Sequence, residues 1–182
     1  CLYMTWGLLP NVMNPFGVNS DFTAHNEWVV FVHYLSKYLD WFDTLFIILR
    51  KRRAQLSFLH VYHHSTISMV WGFLVFTGNG NGTATYGAWV NSVTHVIMYS
   101  HYLWTSFGLR NPFKKLVTTW QITQFWSCLL HAVVVLCFET VYPATVAWLQ
   151  VLYQITMVYL FTFKLHYVPS WVPEYPEEKK KA

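Results

Sequence analysis

Charge is what this sequence has least of. Only 11% of its 182 residues are Asp, Glu, Lys or Arg, while 54% are hydrophobic and 20% aromatic. Ordinary soluble domains carry about 25% charged residues, so a soluble globular domain is excluded and an integral membrane chain is expected. Cysteine is scarce as well. Cys1, Cys128 and Cys137 form no spaced framework, which indicates neither a disulfide scaffold nor a thiolate metal site. No internal repeat or low-complexity run is present, and no proline falls within the long apolar runs. No secretory leader is visible, and the chain opens at Cys1 rather than Met. The expectation is therefore a piece that lacks its N-terminal span or spans.

Five apolar runs remain, at about Trp28–Leu49, Phe58–Thr77, Ala88–Phe107, Leu116–Phe138 and Thr145–Tyr167. Each has roughly the twenty residues that a ~30 Å hydrocarbon core requires of a helix. Helix is the expected form, because a lipid-exposed strand would leave backbone groups unpaired. Residues 1–10 are too short to span and residues 11–26 read as a loop. The expected fold is an all-α integral membrane protein with five complete transmembrane helices. Residues 1–182 then form a single membrane domain, with 168–182 as a cytosolic tail.

Positive charge is confined to one side. Of the twelve Lys and Arg residues, eleven fall at 50–53, 110–115, 164 or 179–181, and the connections Gly78–Gly87 and Glu139–Ala144 hold none. That asymmetry predicts cytosolic basic loops and a cytosolic C-terminus; it does not indicate a nucleic-acid partner. The Asn81-Gly82-Thr83 sequon is then lumenal. Lys179 and Lys180, fourth and third from the end, match an endoplasmic reticulum retrieval signal.

The few polar residues inside the apolar runs are patterned. Lys37, Asp40 and Thr44 share one face of the first run, with Asp43 at its edge, and His60, His63 and His64 share a face of the second. Asn91, His95, Met98, Tyr99 and Tyr102 line one face of the third, and Gln121, Gln124, Cys128 and His131 one face of the fourth. Charges at membrane depth are expensive and mark function, so all four stripes are expected to point inward. The cluster they form lies between the cytosolic mouth and the midplane. Duller readings exist for each stripe. Lys37 with Asp40 or Asp43 makes a structural ion pair, the histidines make metal ligands, and the glutamines bond across helices.

These residues also carry a resemblance. Lys37, Asp40, Asp43 and Thr44 fit Lys-x-x-Glu-x-x-Asp-Thr, with Asp40 where Glu is usual. His60, His63 and His64 complete His-x-x-His-His. Asn91, His95, Met98, Tyr99 and Tyr102 fit Asn-x-x-x-His-x-x-Met-Tyr-x-Tyr-Tyr, with His101 at a Tyr position. Thr118, Gln121, Gln124 and Phe125 fit Thr-x-x-Gln-x-x-Gln-Phe. In this order the four signatures resemble the very-long-chain fatty acid elongases, membrane enzymes that condense acyl-CoA with malonyl-CoA. The resemblance implies a seven-helix fold, six helices of which ring a narrow tunnel. It also implies an endoplasmic reticulum location and no cofactor or metal beyond the two CoA substrates. Partners would be membrane lipid, the reductases and dehydratase of the elongation cycle, and a second copy in a homodimer.

Residue type and depth suggest roles. His63 and His95 suit covalent and acid/base work, with His60 and His64 orienting the box. Lys37, Asn91 and Gln121 are candidate donors to carbonyl or carboxylate oxygens, and Asp40 and Asp43 would hold Lys37 or an imidazole. Thr44, Met98, Tyr99, Tyr102 and Gln124 complete the expected substrate site. Cys128 is a rival nucleophile, but a buried thiol with no cation beside it is unreactive. Gln55, five residues before His60, resembles members acting on polyunsaturated chains. Two other classes stay open. A di-iron desaturase or hydroxylase needs further histidine boxes, and a transporter would use Lys37 and the acids as a relay and favour helices broken at mid-span.

Overall fold

The structure, a computed structural model, describes residues 1–109, 112–165 and 167–172. Seven α-helices account for most of it: α1 (Leu2–Gly7), α2 (Ala24–Leu39), α3 (Trp41–Leu49), α4 (Phe58–Phe76), α5 (Thr85–Ser106), α6 (Lys114–Phe138) and α7 (Ala144–Phe163). Single 3-10 turns at Arg53–Gln55 and Gly82–Ala84 precede α4 and α5. Among the described residues there is no strand. Arg110, His166 and the retrieval-like Lys179–Lys181 lie outside the described residues.

Local chemistry fixes the helix starts. Thr23 accepts from the Asn26 backbone N–H ahead of α2, and Ser57 accepts from that of His60 ahead of α4. Each satisfies an orphan donor of the first turn. The last four expected runs match α4 to α7 to within a few residues at either end. The first does not. It starts at Ala24, inside the expected loop, and divides at Asp40 into α2 and α3. Asp40 keeps helical angles (φ −62°, ψ −19°), and the Asp43 N–H reaches back only to the Asp40 carbonyl, at 3.2 Å. The α-helical ladder thus tightens for one turn without proline or glycine. Residues 2–7, read as too short to span, form a helix of six residues.

Two helices, α6 and α7, are both long enough and apolar enough to cross a bilayer. The 19 residues of α4 and 22 of α5 give rises of about 28 and 33 Å, but their polar stripes dilute the hydropathy. The helices pack in the cyclic order α1, α2, α4, α7, α6, α5 and back to α1, with α2 also touching α5. Two apolar clusters fill the bundle. One gathers Val29, Val30, Tyr34, Trp71, Leu74 and Ala88 beneath α1; the other gathers Leu59, Phe125, Tyr153, Met157 and Leu160 between α4, α6 and α7.

The two ends differ in chemistry. At the basic end, the Phe58 N–H donates to the Tyr167 carbonyl and Arg53 Nε to that of Val172, tying the start of α4 to the segment after α7. At the other end, one carboxylate gathers three segments. Glu139 accepts from the backbone N–H groups of Asn19, Thr140 and Val141, and from the Thr83 hydroxyl. Thr83 also reaches the Gly17 carbonyl, and His131 Nε2 lies 2.8 Å from that of Phe16. Asn81 is nearly buried, and its Nδ2 donates to the Thr23 carbonyl. In the folded chain, the atom a glycan would modify is therefore a loop staple.

Partial burial pushes the Glu139 carboxyl up, but these donors more than offset it and hold the pKa at about 2 against an ordinary 4.5. A depressed acid stabilises the fold above its unfolded pKa, and that stability is lost as pH falls towards the folded value. Acidification from pH 4.5 to about 2 should therefore destabilise the wild type more than Glu139→Gln. Melting curves across that range test this, and parallel losses would contradict it.

Candidate active site

Among the described residues Lys37 is the only buried lysine, and it meets an acid beside it. Lys37 is 2% and Asp40 6% exposed, and Lys37 Nζ donates to Asp40 Oδ2 at 3.1 Å and to Asn91 Oδ1 at 2.7 Å. The spacing of three residues makes the pair possible, and the tightened turn at Asp40 sets its geometry. The Tyr99 hydroxyl lies 3.1 Å from both Asp40 Oδ1 and Asp43 Oδ2, so one phenol links the two acids. His95 Nδ1 is 3.7 Å from Asp40 Oδ1 and has no hydrogen-bond partner. That is too long for a bond and close enough for attraction once the ring is protonated. Because Lys37 occupies its carbonyl oxygen, Asn91 turns its NH2 away from the lysine.

The histidine box stands next to this cluster on α4. His60 and His64 lie against each other, tilted by 35° with centroids 4.2 Å apart, and His63 meets His64 edge-on at 5.6 Å. Thr44 Oγ1 lies 2.9 Å from His60 Nε2, so α3 holds the first imidazole. His63 Nδ1 lies 3.3 Å from the Tyr153 hydroxyl, and its ring abuts the edge of Phe125. A narrow cavity of about 30 Å³ opens between His63, Asn91, Gln124, Phe125, Cys128 and Gln154. A second, of about 40 Å³, lies toward Thr83, His131 and Tyr142. Trp71, Leu74, Gly87 and Gln150 line both, so the two cavities lie side by side, a slot divided by shared walls that leads from His63 toward the Glu139 end.

Most residues singled out in the sequence converge here. Lys37, Asp40, Asp43, Asn91, Tyr99 and His95 form one polar cluster; His60, His63, His64 and Thr44 form the neighbouring one, with Gln124 lining the same cavity as His63 and Asn91. Two do not join. Gln121 Nε2 is spent on Met98 Sδ at 3.0 Å, so these two residues bond each other rather than line the slot. Tyr102 is 50% exposed, touching Tyr99 from outside. Gln121 and Tyr102 lie in the halves of their helices nearer the basic end.

Sequence reasoning missed the wall supplied by α7. Gln150, Tyr153 and Gln154 recur at i, i+3 and i+4 on an otherwise apolar helix, a signal of one inward face. It also left His33 unused. His33 is fully buried, bonded to Ser92 Oγ at 3.2 Å, and set against the edge of Trp71.

Comparison with known proteins gives this geometry a context. The model of the ELO (GNS1/SUR4) family matches residues 2–181. The chain belongs to the ELO family. It is 51% identical to fatty acid elongase 5 of Trypanosoma cruzi over 146 residues, 80% of this chain and 58% of that protein. It is 50% identical to fatty acid elongase 5 of Leishmania major over 150 residues, 82% of this chain and 60% of the relative. Against human very long chain fatty acid elongase 4 it is 36% identical over 155 residues, 81% and 46% of the two chains. The chain thus spans about 60% of the length of the trypanosomatid relatives it matches. As an ELO protein it is an all-helical membrane protein, consistent with the apolar α6 and α7.

In this ELO chain the ion pair is the structural test of the cluster. Lys37→Met leaves a carboxylate buried without its cation, which costs about 3–5 kcal/mol. Lys37→Met combined with Asp40→Asn should recover most of that loss. Unfolding in detergent micelles measures it, and a single variant as stable as the wild type would show that Asp40 does not depend on Lys37.

Proposed function

We propose that this chain carries the reaction chamber of a fatty acid elongase, joining a long acyl-CoA to two carbons of malonyl-CoA. The products are 3-ketoacyl-CoA, CO2 and CoA. The observation that carries the reading is the slot. One end is lined by His63 and Asn91, which contact the rest of the histidine box and the buried Lys37 respectively, and its far part is walled mainly by apolar side chains. A charged head at the mouth, a reactive carbon at the imidazoles and an apolar tail beyond describe an acyl thioester. The relatives' names support it, since both trypanosomatid proteins are called fatty acid elongases. The slot is far smaller than the hundreds of Å³ of an ordinary ligand site, so its side chains part when an acyl chain enters.

In the first half-reaction His63 Nε2 attacks the thioester carbonyl. A C–N bond forms, the C–S bond breaks, and CoA leaves as the thiol after taking a proton. The Asn91 NH2 and the free Lys37 N–H are the donors for the oxyanion and then for the malonyl thioester oxygen. Malonyl-CoA loses CO2, its carbon attacks the acyl carbonyl, and the imidazole departs. His95, beside Asp40, supplies and takes protons. Gln121 drops out as a donor, being bonded to Met98, and Gln124 takes its role.

The same reading puts the enzyme in the endoplasmic reticulum with its basic loops in the cytosol, where malonyl-CoA is available, alongside the reductases and dehydratase of the cycle. The Gln55 motif favours a polyunsaturated acyl chain. Metal-dependent desaturation is less well supported. Among the described residues, no group of three His, Cys, Asp or Glu side chains is disposed to hold a metal ion. His60 and His63 are also already engaged by Thr44 and Tyr153.

The nucleophile tests the mechanism. Acyl-CoA alone should release CoA and leave acyl mass on a peptide containing His63. His63→Ala and His95→Ala should abolish elongation in folded protein, whereas Cys128→Ala keeps most of it. Acyl mass on Cys128, or no CoA release until malonyl-CoA is added, would overturn the two-step scheme.

A further inference from the structure

The tyrosine on α7 that touches the histidine box belongs to none of the four signatures, yet its hydrogen bonds run in only one direction. Thr66 Oγ1 lies 2.7 Å from the Tyr62 carbonyl, one turn back on α4. A carbonyl only accepts, so the single hydroxyl proton of Thr66 is committed there. The Tyr153 hydroxyl lies 3.3 Å from Thr66 Oγ1 and 3.3 Å from His63 Nδ1. With no proton left on Thr66 for that contact, Tyr153 must supply it. Its own proton then points at Thr66, and its oxygen is left to accept from His63.

We infer that Tyr153 is a positioning residue that fixes His63 as the Nδ1–H tautomer, leaving the Nε2 lone pair bare on the side of the slot. The chain of donors runs His63 Nδ1–H to Tyr153 Oη–H to Thr66 Oγ1–H to the Tyr62 carbonyl, and every contact in it receives one proton. The reverse assignment sets two oxygen lone pairs against each other between Tyr153 and Thr66. Tyr153 can do this because it is rigidly held: it is 8% exposed and packs with Leu59, Phe125, Met157 and Leu160. The other charged and titratable neighbours of the ring do not compete for Nδ1. His64 meets His63 edge-on, and Lys37 and Asp40 are engaged with each other. A histidine's reactive nitrogen is commonly set by the bond its other nitrogen makes.

The catalytic consequence rests on His63 being the acyl acceptor of the proposed function, but the tautomer itself does not. Nitrogen-15 NMR of histidine-labelled full-length protein, with His63→Gln to assign the signal, reads the tautomer directly. A protonated Nδ1 and bare Nε2 in wild type, lost in Tyr153→Phe, is the expected result. A wild-type Nε2–H tautomer would overturn the inference. Kinetically, Tyr153→Phe should slow CoA release from acyl-CoA alone about ten- to hundredfold, with KM and melting temperature unchanged. Thr66→Val should slow the same step and Thr66→Ser restore it, and Tyr153→Phe with Thr66→Val should be no slower than Tyr153→Phe. Additive losses, or a rise in KM alone, would reduce Tyr153 to a packing residue. If wild type shows the expected tautomer but releases no CoA, the acyl-enzyme reading fails and the positioning role stands.

Discussion

A buried ammonium and a buried carboxylate hold this structure's centre. Taking either ion out of water costs several kcal/mol, and only close geometry with further hydrogen bonds repays it. Lys37 and Asp40 meet that condition by recruiting Asn91 from α5 and Tyr99 from α5 to Asp40 and Asp43. The helical break follows from the same site, since it lies at Asp40 where α2 gives way to α3. The polar cluster therefore joins three helices, and α3, which buries no residue fully, is tied to the bundle by Tyr99–Asp43, Thr44–His60 and Trp41–Ser68.

Around that centre the bundle separates its tasks by depth. The Phe58 backbone N–H and the Arg53 side chain anchor the basic end to the 167–172 segment, and the Glu139 carboxylate anchors the other. Between them the slot runs past Trp71, Leu74, Gly87 and Gln150. At Gly87 a Cβ would meet nothing closer than the Trp71 ring at 3.8 Å, so alanine would fit there in ordinary van der Waals contact. The chemistry is thus crowded toward one end, with an enclosed apolar stretch behind it.

Much of this was legible in the sequence. Helix-spaced polar residues on apolar runs identified Lys37, Asn91, His95 and the histidine box as one inward-facing set, because burying a charge in lipid demands a partner. Periodicity could not show the break at Asp40, where the dihedrals remain helical and only the hydrogen-bond register tightens. Nor could it separate Gln124, on the inner face, from Gln121, one turn nearer the end of α6 and satisfied by Met98. Tyr153 was hidden for a different reason. The Gln150, Tyr153 and Gln154 spacing marks an inward face, but the role of Tyr153 on it depends on Thr66 and His63, which are far away in the chain. Most of Glu139's donors, likewise, are backbone groups that carry no side-chain signal.

The proposed function makes the ion-pair cluster and the histidine box one condensing chamber. Carbon-labelled malonyl-CoA supplied to the full-length protein in lipid vesicles tests it most directly, by counting CO2 released against 3-ketoacyl-CoA formed. The account predicts one CO2 for each two-carbon extension in wild type, and neither product in Lys37→Met/Asp40→Asn with the fold retained. Chain extension at the wild-type rate in that double variant would contradict it.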